Sequence, residues 1–227
     1  IVLARDIRVI FTEFGRREMI DKTESKTFNF DIRRSIVLSK YMKHWGMPEF
    51  RQVITKENVR VELYTFPGQE GDDITRFSTI GLSSQPIEDN SGERDSAVEL
   101  LMLLPKCVAY EQEAQIKSYL FDVAAYLINT LGRTPDVGTT IPESPLAPDN
   151  WPKALLFDEP RGEPEELGCF QVGRQHINLL WLIPIYGSEY KIIRERGLDE
   201  FDKIEQQRDV SLVDIRREPT TFCEGNV

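Results

Sequence analysis

Histidine and cysteine are scarce in this 227-residue chain, which holds two of the first and three of the second. Cys107, Cys169 and Cys223 lie far apart and form no CxxC pair, so a disulfide framework or a zinc site is poorly supported. His44 precedes Trp45 near the end of a predicted helix, where the helix dipole favours it, and His176 opens a predicted strand. Both are expected to be structural or surface residues, and neither a cofactor nor a metal is expected. A GxSxG elbow, a P-loop, GxGxxG and HExxH are all absent, so no local motif announces an enzyme. The longest apolar run, Ile177 to Tyr186, is broken by Asn178 and Pro184. It falls far short of the roughly 20 residues that a membrane helix needs. No signal peptide is visible in a row that starts at Ile1 rather than Met, and a reducing cytoplasm is the expected location.

Positive charge is also in deficit. Lys and Arg number 28 against 38 Asp and Glu, a formal net charge of −10, and no basic run with interleaved aromatics occurs. Such a surface repels phosphate backbones and anionic membranes, so neither is an expected partner. Two readings of the charge stay open, simple solubility and attraction of a basic protein. With 40% hydrophobic residues and ordinary Gly and Pro content, the chain can bury one full core.

Along the chain, Ile7, Val9 and Phe11 alternate with charges and predict an N-terminal strand, followed by a polar turn at Asp21 to Lys26. Ile32, Ile36, Tyr41 and Trp45 recur at helical spacing, with Asp31 as cap and Gly46 and Pro48 as stop. Strands are predicted at Val59 to Phe66, Phe77 to Ser83 and Ala97 to Leu104, joined as an antiparallel meander. AVELLMLLP, apolar on both faces, should lie centrally under helices. Ile116, Leu120, Val123, Leu127 and Leu131 form one stripe of a helix from Glu111 to Leu131, with Glu113, Lys117 and Asp122 off it. Five prolines make residues 133–152 a loop, held down by Trp151 and Ile141. Further strands at Ala154 to Phe157 and Ile177 to Ile183 flank an acidic loop, Asp158 to Glu166. Ser188 should cap a helix that Gly197 interrupts, and a second short helix runs through Phe201 and Ile204. The predicted fold is α/β (α+β): one domain with a mixed, mostly antiparallel sheet flanked by helices.

Several segments, taken in order, resemble the suppressor of fused domain family. They are HWGMP, VELYTFPG, RFSTIGLSS, AVELLMLLP, AAYLINTLGRTPDVGTTIP, ALLFDEP, HINLLWLIPIYGSEYKIIRERGLDEF and VSLVDIRREPTTF. The resemblance covers roughly residues 28–222 and leaves residues 1–27 as an extension. It implies a non-enzymatic protein-binding domain. Eukaryotic members grip an extended peptide of a zinc-finger transcription factor between this domain and a second one, for which 227 residues leave no room. Single-domain bacterial relatives resemble immunity proteins of polymorphic toxin systems, which implies a toxin partner, and a basic nuclease domain would suit a chain of charge −10. By the same resemblance Tyr126 matches a peptide-site tyrosine and Gly138 a nearby glycine. Thr139 stands where the family has Asp, one residue further along, so the charge that meets a basic peptide is missing. Two alternatives stay open: a hydrolase using Asp158-Glu159 or Glu165-Glu166, and a structural component of a larger assembly.

Overall fold

In the computed structural model the described residues are 29–56, 59–85, 96–145 and 147–221. The N-terminal strand expected around Ile7 to Phe11 lies outside them, as does the polar turn after it.

Helix α1 spans residues 29–45, so Asp31 sits inside its first turn instead of capping it. Its buried stripe is Val37, Tyr41 and Trp45, four residues apart, while Ile32 and Ile36 stay largely exposed. The apolar positions of this helix are wide enough to serve two faces, and tertiary packing chose the one where Tyr41 stacks on Trp45 at 4.7 Å. Gly46 closes the helix by donating its N–H to the Met42 carbonyl.

The chain then runs as a meander of β1 (Phe50–Lys56), β2 (Val59–Phe66), β3 (Ile74–Ile80) and β4 (Ser96–Pro105). Strand β2 matches its expected limits, and β1 is an addition. Phe50, Val53 and Ile54 of β1 are each 40–44% exposed on one or other side, so no clean alternation marks it in the sequence. Strand β3 starts and stops three residues before its expected range, because Gly81 adopts φ +108 and opens the short turn Leu82–Ser84. A Cβ at Gly81 would stand 2.6 Å from the Arg60 carbonyl oxygen, so only glycine fits there.

Strand β4 is central, antiparallel to β3 and parallel to β8 (Gln175–Ile185). Its two apolar faces feed two cores. Val98, Leu100, Met102 and Leu104 pack with α2 (Lys106–Tyr126). Leu101 and Leu103 share the other core with α1, α4 (Gly187–Arg196) and α5 (Leu198–Arg208). Helix α2 buries Ile116, Leu120 and Val123 as expected and ends in a wider turn, Leu127–Leu131, closed at Gly132. Lys117, expected off the stripe, is buried: its ammonium lies 3.2 Å from the centre of the Phe50 ring and 2.5 Å from Glu113. Trp151 fastens the proline-rich loop, its ring edge-on to Tyr119 at 6.0 Å and its N–H on Gln112.

The sheet order is β1-β2-β3-β4-β8-β6-β5, with β5 (Thr140–Ile141) at one end, β6 (Ala154–Asp158) beside it and β7 (Cys169–Val172) paired to β8. The short α3 (Glu165–Gly168) leads into β7. At α4 the backbone N–H of Tyr186 donates to Glu189, and Ser188 lies within the helix instead of capping it. No helix among the described residues is long and apolar enough to cross a membrane.

Candidate functional site

Strands β6 and β7 both pair with the edge of β8 that β4 leaves free. Strand β7 takes Gln175 to Asn178 and β6 takes Trp181 to Ile185, so Leu179 and Leu180 have no strand beside them on that edge. The chain leaves β6 at this gap, loops through residues 159–164 and returns as α3 and β7. A cleft of about 610 Å³ opens over the gap, floored by Leu179 and Leu180 and walled by Pro135 to Val137 on one side and Glu159 to Glu165 on the other.

The loop is only in part the solvated acidic stretch that its composition suggests. Glu163 is buried, accepting from Arg76 Nε at 2.7 Å and from Trp45 Nε1 at 2.6 Å, which ties the loop to β3 and α1. Asp158 is 2% exposed, with Arg161 Nη2 at 2.5 Å, and Arg161 also donates to Asp202 at 2.7 Å. Burial holds the Asp158 carboxyl above the usual aspartate range, and Arg161 opposes it. Glu159, Glu165 and Glu166 remain exposed. An acid pair in the hydrolase sense would need two carboxyls facing one open space, whereas Asp158 faces its own arginine. Among the described residues no group of three or more His, Cys, Asp and Glu side chains could hold a metal. His44 is half-buried near the end of α1 and His176 is exposed in β8.

Gly138 and Thr139 sit on the outer edge of β6, near the cleft. Gly138 N–H donates to the Phe157 carbonyl at 2.8 Å and Phe157 N–H to the Thr139 carbonyl at 2.9 Å. Gly138 holds φ +82, a conformation that strains any other residue. The Thr139 hydroxyl accepts from Asp136 N–H at 3.0 Å, so it closes the turn as a carboxylate would, without the charge. Tyr126 ends α2 half-buried, packed against the core beneath that helix. Tyr126, Gly138 and Thr139 are all absent from the residues lining the cleft, although Gly138 and Thr139 directly follow Pro135 to Val137, which wall it. Sequence reasoning missed Glu163 and Arg161, whose only local signal was charge in a Pro- and Gly-rich loop, and Arg76, a single charge within strand β3.

The family model for suppressor of fused protein matches residues 57–218. The chain belongs to the suppressor of fused family. A suppressor of fused homologue from Neisseria gonorrhoeae shares the fold with a TM-score of 0.62 at 15% identity, over 84% of this chain and 98% of that one. A chain of the Sufu–Fu complex crystal structure superposes with a TM-score of 0.55 at 14% identity, over 77% of this chain and 84% of its own. No curated protein matches by sequence. The suppressor of fused fold therefore accounts for the mixed α/β architecture of the chain.

Proposed function

We propose that this suppressor of fused domain is a non-catalytic binder of another protein, taking an extended, basic segment along its outer sheet edge and acting as an immunity protein that sequesters a basic toxin such as a nuclease. The observation that carries the reading is the end of the sheet. Strand β5 is only two residues long and terminates the strand order, so an extended segment has an edge to join beside the Asp136–Thr139 turn. Exposed Glu159 and Glu165 line the adjoining cleft, which suits a basic segment. A relative of the same fold was solved in complex with a second protein, Fu. Tyr126 is the proposed aromatic anchor of the partner, and Gly138 and Thr139 its backbone contacts.

Affinity capture from the source organism, followed by stopped-flow mixing with the captured partner, tests this. Raising salt from about 0.05 to about 0.5 M shortens the Debye length from roughly 14 to roughly 4 Å, so the association rate should fall by at least about tenfold. Tyr126→Ala should act on dissociation instead, because central desolvated contacts set that rate. A salt-independent association rate removes the electrostatic argument, and an unchanged dissociation rate removes Tyr126 from the interface. One observation favours assembly as a second reading: Phe50, Val53 and Ile54 leave the opposite edge strand, β1, partly apolar and exposed. A concentration-dependent mass by light scattering, lost in Val53→Lys, would support it.

A further inference from the structure

A second hollow lies in the other half of the sheet, where α2 begins above β2 and β3. It encloses about 680 Å³. Its floor is Thr65 and Phe77, opposite each other on neighbouring strands and both buried. Thr65 is only 6% exposed, yet its hydroxyl has no hydrogen-bond partner among the described residues. A buried hydroxyl left unmet is costly, and a ligand atom that meets it recovers that cost. Pro67 and Pro105 form apolar walls, and Tyr110 stands at the rim with 89% of its surface exposed.

The charges around the hollow select the sign of the ligand. Glu49, Asp73 and Glu113 line it against Lys106, and with Lys117, the ion-pair partner of Glu113, the balance is −1. Glu113 is matched by Lys117 at 2.5 Å, whereas Glu49 and Asp73 have no ion pair among the described residues. The Glu49 backbone is anchored beside the floor, since its N–H donates to the Thr65 carbonyl at 2.9 Å, and its side chain is exposed. Helix α2 starts here without a side-chain cap, which by itself would favour an anion. Its first N–H, that of Lys106, already donates to the Asp73 carbonyl at 2.7 Å, and the two unmatched carboxylates outweigh what is left.

We propose that this groove docks an arginine side chain of a partner protein: the guanidinium donates to Thr65 Oγ1 and faces Glu49 and Asp73, while the stem lies along Pro67, Pro105 and the Tyr110 ring. Arginine suits the site better than lysine because its planar, weakly hydrated head donates in several directions and stacks on an aromatic face. The inference rests on the reading of the chain as a protein binder and adds a contact surface separate from the β5 edge.

Two free cysteines among the described residues report on the two surfaces, for Cys107 lines this groove and Cys169 the cleft beside β8, and both are exposed. Alkylation of the folded full chain by iodoacetamide, followed at each cysteine by mass spectrometry, is measured with the peptide acetyl-Leu-Arg-Pro-Leu-amide and with its neutral citrulline counterpart. At about ten times its Kd the arginine peptide should slow alkylation of Cys107 about tenfold and leave Cys169 unchanged. Thr65→Val, which keeps the shape of the side chain, and Tyr110→Ala should each raise the peptide concentration needed by about tenfold. Equal protection by the citrulline peptide, protection that both substitutions leave intact, or no protection of Cys107 would overturn the proposal. Protection confined to Cys169 would overturn it too, while leaving the cleft beside β8 standing as the binding site.

Discussion

Arg217→Ala is expected to lower stability by about 3–5 kcal/mol, roughly a fifth or more of the about 5–15 kcal/mol that a domain holds. Arg217 is 6% exposed, and its Nη2 meets Glu189, which is 0% exposed, at 2.7 Å. The same guanidinium donates to the carbonyls of Pro184 at 3.1 Å and Asp214 at 3.2 Å. Glu189 also accepts the backbone N–H groups of Tyr186 and Thr220, and the Tyr186 hydroxyl donates to the Arg217 carbonyl at 2.8 Å. One ion pair therefore fastens the segment after α5 to the start of α4 and the end of β8. Without the arginine, a carboxylate stays buried with no cation, and that desolvated charge is the source of the loss. Arg216 supplies the control: it pairs with Glu111 at 2.7 Å, but both side chains are more than half exposed. Arg216→Ala should shift stability by under about 0.5 kcal/mol. Urea denaturation of the two variants decides the matter, and similar small losses would show that water reaches Glu189.

The second large effect is expected at Glu99, a carboxylate that is 0% exposed in the middle of β4. It accepts from the Thr79 hydroxyl at 2.7 Å, from Gly81 N–H at 2.8 Å, and from both the N–H and the hydroxyl of Ser83. These bonds hold the turn that ends β3. Glu99→Ala leaves four donors unmet in a dry site, at about 1–3 kcal/mol for each that water cannot reach, so a loss of about 3 kcal/mol or more is expected. Glu99→Gln keeps one of the two acceptor oxygens, enough for the three bonds that Oε1 now accepts, and should recover the larger part.

The glutamine variant also carries a pH signature. Burial is the largest influence on the Glu99 carboxyl and holds its pKa above 4.5, against the pull of hydrogen bonds from Ser83, Thr79 and Gly81. A pKa higher in the folded than in the unfolded state means that the native protein binds this proton more tightly. The resulting stabilisation is complete below the ordinary glutamate value and is lost as pH rises through the raised one. Urea midpoints taken from about pH 4 to about pH 8 should therefore show the wild type losing ground to Glu99→Gln as pH rises. A constant gap between the two would place the Glu99 pKa at its ordinary value.

Both residues show how far local pattern carries. AVELLMLLP reads as a central strand apolar on both faces, and so it is, but the Glu in its middle is as buried as its neighbours. Nothing local distinguishes Glu99 from a solvated acid, because its donors come from a turn 16 to 20 residues upstream. Likewise the stretch from Asp158 to Glu166 contains a buried acid whose cation, Arg76, lies 87 residues away along the chain. The family resemblance singled out Gly138 and Thr139, but the nearby cleft was not legible, since it arises where β6 and β7 leave part of the β8 edge uncovered.

What the sequence by itself determined is the set of elements whose burial repeats at a local period. These are β2 by its alternation, β4 by its continuous apolar run, α2 by its stripe, and through their order the family. Tertiary structure alone decided the rest: the weak edge strand β1, which strand lies parallel to β4, which face of α1 is buried, and which carboxylates leave water. The physical reason is that an apolar side chain carries its preference for the interior wherever it stands. A charge enters the interior only when the fold brings it an opposite charge or hydrogen-bond donors from elsewhere in the chain.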